Sequence, residues 1–126
     1  MAHMSTASSK ALEMETRMVS FGSDILRISL KLPSTMAGKH IATQILRSGT
    51  AAAANYGEAR GAESRKDFIH KIRIVLKELN ETAIWLQLIA KSSLLPPEMI
   101  SGVLAENREL CRIMAASVKT ARSALP

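Results

Sequence analysis

The side chains that most often perform catalysis or bind metals are few and scattered in this chain. It has three histidines, His3, His40 and His70, and one cysteine, Cys111. A di-iron helical bundle requires a glutamate three residues before a histidine, and neither His40 nor His70 has one. Phosphate-binding loops, dinucleotide-binding glycine motifs and zinc-ligand spacings are also missing from the sequence. We therefore expect a protein that is not an enzyme and that uses no metal or cofactor.

A row of basic residues indicates a different chemistry, the binding of a polyanion. The row begins at Lys66 and continues at steps of four, three and four residues to Lys77, which places it on one face of a helix. Two interpretations stay open: a solvated face, supported by pairs such as Lys77 with Glu81, or a surface that follows nucleic-acid phosphates. The formal net charge of +6 favours RNA or DNA as the partner. The predicted nucleic-acid-binding residues are Arg47, Arg60, Arg65, Lys66, His70, Arg73 and Lys77.

Charged residues of both signs crowd the turn near residue 60 and continue along the segment that follows. Such alternation can join a helical bundle to itself or to a second copy of itself. Trp85 flanks the apolar stripe of this segment, and a large aromatic side chain at the edge of a core is a favoured interface anchor. The predicted subunit-interface residues are Asn55, Tyr56, Glu58, Glu63, Asp67, Glu78, Glu81 and Trp85.

Four segments with helical apolar periodicity must position these side chains. Their predicted bounds are Leu12–Leu32, Met36–Ala59, Ala62–Lys91 and Pro97–Ser123. Proline and glycine separate the segments, because the residue before a proline leaves the α region and glycine weakens a helix. The longest regular apolar stripe runs from Phe68 to Ile89. Helices of this length with short connections predict an all-α fold, an antiparallel up-down-up-down four-helix bundle.

Some positions on these helices are small or polar instead of aliphatic. Gly49 and the alanines at 51–54 predict that another helix approaches the second helix closely. Thr82, Asn107 and Cys111 fall on the inward stripes of the third and fourth helices. We interpret Cys111 as a buried small side chain and not as a reactive thiol.

The length of 126 residues predicts one domain over residues 10–126. Residues 1–9 are predicted to be a disordered N-terminus that opens with a cloning scar, Met1–Met4. We expect no signal peptide and no membrane span, because no apolar run reaches 18 residues. A lone cysteine excludes an internal disulfide, which fits a cytoplasmic protein.

Five short motifs between residues 55 and 86 resemble those of a known family. They are Asn55-Tyr56-x-Glu58-Ala59-Arg60, Ala62-Glu63-Ser64, Asp67-Phe68-x-x-Lys71, Lys77-Glu78 and Glu81-Thr82-x-x-Trp85-Leu86. The family comprises the four-helix-bundle proteins named for intervening sequences in bacterial 23S ribosomal RNA. The resemblance extends from the first to the fourth helix, and the stretch from Asn55 to Leu86 is its specific part.

The resemblance implies a cyclic homopentamer of four-helix bundles. It also implies a likeness in shape to the accessory protein of diversity-generating retroelements, which binds a reverse transcriptase and nucleic acid through a basic surface. It brings no catalytic residues. Two functions follow as hypotheses: a pentameric protein that binds RNA or serves a ribonucleoprotein, and a ring that scaffolds a protein partner.

Overall fold

The computed structural model describes residues 6–126, with side chains from residue 9 onward. The four helices are α1 (Thr6–Lys31), α2 (Met36–Arg60), α3 (Arg65–Lys91) and α4 (Ser101–Ser123), and a 3₁₀ turn over Pro97–Met99 precedes α4. Helix α1 begins earlier than the predicted Leu12, within the segment predicted to be disordered. Met1–Ser5, which include the predicted cloning scar, lie outside the described residues.

Each of the four helices packs against two others. Consecutive helices pack against each other and α4 returns to α1, whereas the diagonal pairs make no close backbone contact within residues 6–126. The connections are short, so consecutive helices run antiparallel. The predicted all-α, up-down-up-down four-helix bundle is confirmed.

Helices α1 and α2 approach each other closely because glycine lies at their contact. A Cβ atom added to Gly49 would stand 2.5 Å from the side chain of Ile25, so only glycine allows this spacing. At the α2 N-terminus, the Thr35 hydroxyl accepts a hydrogen bond from the Gly38 N–H at 3.0 Å. The prediction of a tight helix contact near Gly49 is confirmed.

The turn between α2 and α3 is fixed by reciprocal capping. The Ser64 hydroxyl accepts a hydrogen bond from the Asp67 N–H at 3.0 Å, and the Asp67 carboxylate accepts one from the Glu63 N–H at 3.3 Å. These bonds satisfy backbone donors that have no partner inside the helix. Helix α3 consequently starts at Arg65, three residues later than predicted.

The core contains the inward stripes that the periodicity predicted. The largest fully buried side chains are Met18, Phe21, Ile25, Ile45, Ile72, Val75, Leu79, Leu86, Ile89, Ile100, Leu110 and Met114. Two polar contacts fix how the helices align. Thr82 and Ser48 share a buried hydroxyl hydrogen bond of 2.7 Å between α3 and α2, and the Asn107 side chain donates to the Leu79 carbonyl at 2.9 Å. Because buried polar groups must be paired, these contacts disfavour other alignments of the helices.

Helices α1 and α4 make the least extensive of the contacts between neighbouring helices. The Arg17 guanidinium donates two hydrogen bonds of 2.7 Å to the carboxylate of Glu106. Such a bidentate pair is among the stronger kinds of ion pair. A groove of about 490 Å³ lies beside it, with Tyr56 and Met114 among its walls.

Candidate nucleic-acid interface

The predicted basic row occupies the outward face of α3. Lys66, His70, Arg73 and Lys77 are all exposed, and the core residues Ile72, Val75 and Leu79 lie on the other side of the helix. No ion pair to an acidic residue forms at any of these four positions within the described side chains. The row can therefore present its positive charge to an external anion.

The start of α3 meets the end of α4 because the two helices are antiparallel. Their contact leaves a hollow of about 370 Å³, lined by Lys66, Ile69, His70, Arg73, Arg122 and Leu125. Arg122 did not belong to the predicted set. It brings a further cation to the same hollow from a part of the chain some 50 residues away. The cations converge on one concave surface, which is the arrangement that a phosphate group requires.

Helix α4 continues this positive surface along its edge next to α3. Arg108, Arg112, Lys119 and Arg122 follow at steps of four, seven and three residues, so they share one side of the helix. A second hollow, of about 670 Å³, lies between the two helices. It is lined by Asn80, Ala83, Ala105, Asn107, Arg108, Cys111 and Arg112.

We call this combined surface the α3–α4 basic face. It contains seven of the chain's 17 lysine and arginine residues and the acidic Glu109, which pairs with Arg112. Glu81 lies at its border, where the charge of Lys77 helps to lower the pKa of the Glu81 carboxyl. Most of the chain's formal excess of six positive charges therefore belongs to this face. Its basic members are Lys66, Arg73, Lys77, Arg108, Arg112, Lys119 and Arg122. Such a one-sided distribution is the electrostatic pattern of polyanion binding.

Two predicted nucleic-acid-binding residues lie away from this face and are already paired. Arg47 on α2 contacts the carboxylates of Glu78 and Glu81 on α3. Arg60 forms a 3.1 Å ion pair with Glu15 on α1. Their charge is compensated inside the chain, so the structure separates them from the α3–α4 basic face. Arg65 is exposed at the first position of α3, beside Lys66.

The predicted subunit-interface residues lie along α2 and α3, and several pair within the chain. The Trp85 indole N–H donates a hydrogen bond of 3.0 Å to the Glu81 carboxylate. The Trp85 and His40 rings contact each other edge to face, with their centroids 5.8 Å apart. The hydrogen bond from Trp85, followed by that from Arg47, lowers the pKa of the Glu81 carboxyl. These contacts join the bundle to itself, which is one of the two alternatives left open by the sequence.

The remaining members of that set lie towards the turn between α2 and α3. Tyr56 is buried, with 7% of its surface exposed, so it offers little area to a neighbour. Asn55 donates to the Ala51 carbonyl at 2.8 Å within its own helix. Glu58 pairs with Lys71 at 3.4 Å, and Glu63 and Asp67 take part in the cap of α3. The role of the set in subunit contacts stays a prediction.

Cys111 is half-buried beside the second hollow. Its thiol lies 3.5 Å from the side-chain oxygens of Asn80 and Asn107, and burial raises the pKa of the thiol. A raised pKa favours the weakly nucleophilic thiol form. The side chain is only partly buried, whereas the sequence predicted a buried one. No group of three or more potential metal ligands occurs among the residues that the structure describes. Within the same residues, no helix has both the length and the apolar character of a membrane span.

The fold and this face define a class of protein: a small all-α bundle with one strongly basic side. Residues 10–116 match the sequence profile of the family described as 23S rRNA-intervening sequence protein. The chain belongs to this family, since the match covers most of its length. No protein with curated annotation matches the chain.

A solved structure supports the same assignment. It is described as a protein with unknown function from the S23 ribosomal protein family of Bacteroides thetaiotaomicron, and it is 32% identical to this chain. The alignment covers 83% of this chain and 97% of that one, with a TM-score of 0.79. The fold and the family predicted from the sequence are therefore confirmed together.

Proposed function

We propose that this protein is a non-enzymatic homo-oligomer that binds nucleic acid, foremost RNA, through its α3–α4 basic face. The observation that carries the proposal is the charge distribution. Most of the formal excess of +6 falls on one face, where seven basic side chains gather on α3 and α4. A positive charge that only maintained solubility would have no reason to collect on two adjacent helices.

The dimensions of the face suit a nucleic-acid backbone. From Lys66 to Asn80, α3 rises about 21 Å at 1.5 Å per residue. A strand of duplex DNA carries one phosphate per about 3.4 Å of helix axis, so the face is as long as about six phosphates of such a strand. The exposed residues of the face include no phenylalanine, tyrosine or tryptophan, and the imidazole of His70 is their one aromatic ring. We therefore infer recognition of the phosphate backbone with little sequence preference.

The oligomer is proposed to be a ring of five copies, as the family resemblance implies. A ring would repeat the α3–α4 basic face five times, and several weak contacts to one RNA would then act together. We propose that such a ring serves a ribonucleoprotein in the cytoplasm, in the manner of the retroelement accessory protein, and that no membrane is involved.

A second candidate function is the scaffolding of another protein. The outward face of α3 is basic in its first half and apolar further along, where Ile84 and Leu88 are 56% and 45% exposed. Exposed apolar side chains are typical of protein contacts when they cluster. A ring with this apolar end could hold a protein partner without any nucleic acid.

One purification distinguishes the two functions. The protein is isolated at low salt with and without nuclease, and its absorbance ratio at 260 and 280 nm and its mass by light scattering are measured. Nucleic acid that co-purifies and is released by salt, with a protein mass near five times 13.7 kDa, would support the proposal. Protein free of nucleic acid that also fails to bind added RNA at 50 mM salt would contradict it. A protein partner retained after nuclease treatment would support the scaffold.

A further inference from the structure

The hollow between the start of α3 and the end of α4 differs from the rest of the α3–α4 basic face. Four of its lining side chains are basic and two are apolar. We call it the end hollow, and its lining residues are Lys66, Ile69, His70, Arg73, Arg122 and Leu125. Elsewhere on the face, Arg112 pairs with Glu109. The charge of Lys77 acts on the Glu81 carboxylate. The end hollow has no acidic residue among the side chains that line it, so its walls do not neutralise its charge.

The basic side chains of the end hollow surround a small volume instead of following a line. Lys66, His70 and Arg73 span two turns of α3, about 10 Å at 1.5 Å per residue. Arg122 lines the same volume from α4. Three permanent cations and one imidazole therefore converge on one concavity. A single internal phosphate of a nucleic acid carries one negative charge, which would leave most of these cations without a counter-charge.

A terminal phosphate matches the lining better than an internal one. A phosphate monoester carries about 1.5 to 2 negative charges at pH 7 and has three acceptor oxygens. The planar guanidinium groups of Arg73 and Arg122 can each bind two such oxygens, and the Lys66 ammonium adds a point charge. The apolar side chains of Ile69 and Leu125 lie beside these cations, where the last sugar or base of a strand would contact them.

The position of the end hollow also favours the end of a strand. The α3–α4 basic face stops at this hollow, because α3 begins and α4 ends there. Next to it is the turn between α2 and α3, which carries the carboxylates of Glu63 and Asp67 beside one arginine, Arg65. A strand that continued past the hollow would bring further phosphates towards these carboxylates, which repel them. A strand that ends in the hollow avoids this repulsion.

We propose that the end hollow binds the terminal phosphate monoester of an RNA strand, whose other phosphates follow the α3–α4 basic face. The inference rests on the proposed function, since it names the part of the RNA that this face holds. Either a 5′-phosphate or a 3′-phosphate supplies the group, because the two have the same charge and the same acceptor oxygens. The end that is held sets the direction of the strand along the face.

Competition binding measures the contribution of the terminal phosphate. Twelve-nucleotide RNAs of one sequence, with a 5′-phosphate, a 3′-phosphate or two hydroxyl ends, compete against a labelled RNA at 0.1 M salt. Each neutralised charge contributes about 0.7 log units at this salt concentration, so a monoester should strengthen binding about tenfold. A thirteen-nucleotide RNA with hydroxyl ends is the matched control, because it has as many phosphates as the phosphorylated RNAs. It should bind within about twofold of the unphosphorylated twelve-nucleotide RNA.

Two single substitutions test whether the end hollow makes this distinction. Arg122→Gln removes a cation from the hollow, and Arg108→Gln removes one from the other end of the same face; both side chains are exposed. Arg122→Gln should reduce the tenfold preference for a phosphorylated end to less than about threefold. Arg108→Gln should weaken the binding of all the RNAs by the same factor and leave the preference unchanged. The preference is a ratio of two affinities, so a general loss of RNA affinity does not alter it.

Mononucleotides test the end hollow without a strand. Adenosine 5′-monophosphate and adenosine 3′-monophosphate are titrated at constant ionic strength, and the side-chain Nε–H resonances of Arg73 and Arg122 are followed by NMR. At least one of the two nucleotides should shift both resonances. Adenosine, which has no phosphate, should shift neither.

The outcomes distinguish this inference from the proposed function. A preference for one phosphorylated end identifies which end is held, and a preference for both shows that the monoester group alone is recognised; either result supports the inference. Equal affinity for phosphorylated and hydroxyl RNAs would overturn it and leave RNA binding intact. A preference reduced equally by Arg122→Gln and Arg108→Gln would overturn its placement in the end hollow. If no RNA binds, the proposed function fails, and the inference fails with it unless the mononucleotides shift both arginine resonances.

Discussion

Replacing Lys66, Arg73 and Lys77 by glutamine removes three adjacent charges of the α3–α4 basic face while keeping helical, hydrophilic side chains. All three positions are exposed, so the substitutions should leave the core intact. We expect RNA affinity to fall about 100-fold at 0.1 M salt, and the salt dependence of binding to become less steep.

The magnitude follows from counterion release. Each cation that neutralises a phosphate of a single strand contributes about 0.7 to the slope of log K against log salt concentration. At 0.1 M salt this is about 0.7 log units per contact, so three contacts give about two log units, or about 3 kcal/mol. The slope itself should fall by about 2. Fluorescence anisotropy with a labelled 20-nucleotide RNA, between 50 and 300 mM potassium chloride, measures both quantities.

A matched triple variant tests whether position matters or only total charge. Lys10, Lys31 and Lys39 are exposed on α1 and α2, and replacing them by glutamine changes the net charge by the same amount. This control should lose less than about fivefold in affinity. If both triple variants lose affinity equally, diffuse charge attracts the RNA and the α3–α4 basic face is not a site. An unchanged affinity in the first variant would refute the reasoning outright.

Two further predictions concern stability. Because Trp85 and Arg47 lower the pKa of Glu81, the Glu81 carboxylate stabilises the fold above its ordinary pKa, and this contribution disappears as pH falls through the lowered pKa. Urea unfolding should therefore show that Glu81→Gln is less stable than the parent at pH 7 and equally stable near pH 2. The same difference in stability at both pH values would contradict this role of Glu81. Gly49→Ala should destabilise the fold by about 1–3 kcal/mol through overpacking. Gly102→Ala, at a helical position with open space around it, should stabilise the fold by about 0.5–1 kcal/mol. Thermal melting measures both changes, and a Gly49→Ala variant as stable as the parent would show that the α1–α2 contact can widen.

Two of the predicted basic residues have different surroundings, which shows why a charge alone does not define a binding site. Arg60 and Arg73 are both exposed arginines within the motif region. Arg60 pairs with Glu15, so its charge is compensated, whereas Arg73 lines a hollow together with Arg122 and Lys66. An anion gains more from Arg73, because binding there does not require an existing ion pair to break.

The sequence by itself determined the four helices, the face that each one buries and the presence of a basic row on α3. These properties are local, because apolar side chains three and four residues apart must share one side of a helix, and because proline and glycine interrupt helices wherever they stand in the chain. The inward stripes containing Met18, Leu79 and Met114 were readable for this reason.

Only the tertiary structure decided which charges act together. Arg122 joins Lys66 because the end of α4 packs beside the start of α3, and Arg47 is neutralised because α2 places it against Glu78. The sequence shows the spacing of Arg108, Arg112, Lys119 and Arg122, but only the packing of α4 against α3 shows that they extend the basic row of α3. Contacts between distant segments follow from how whole helices pack, and periodicity within one helix does not specify the lateral position of the next. The basic row of the sequence thus became one edge of a larger face.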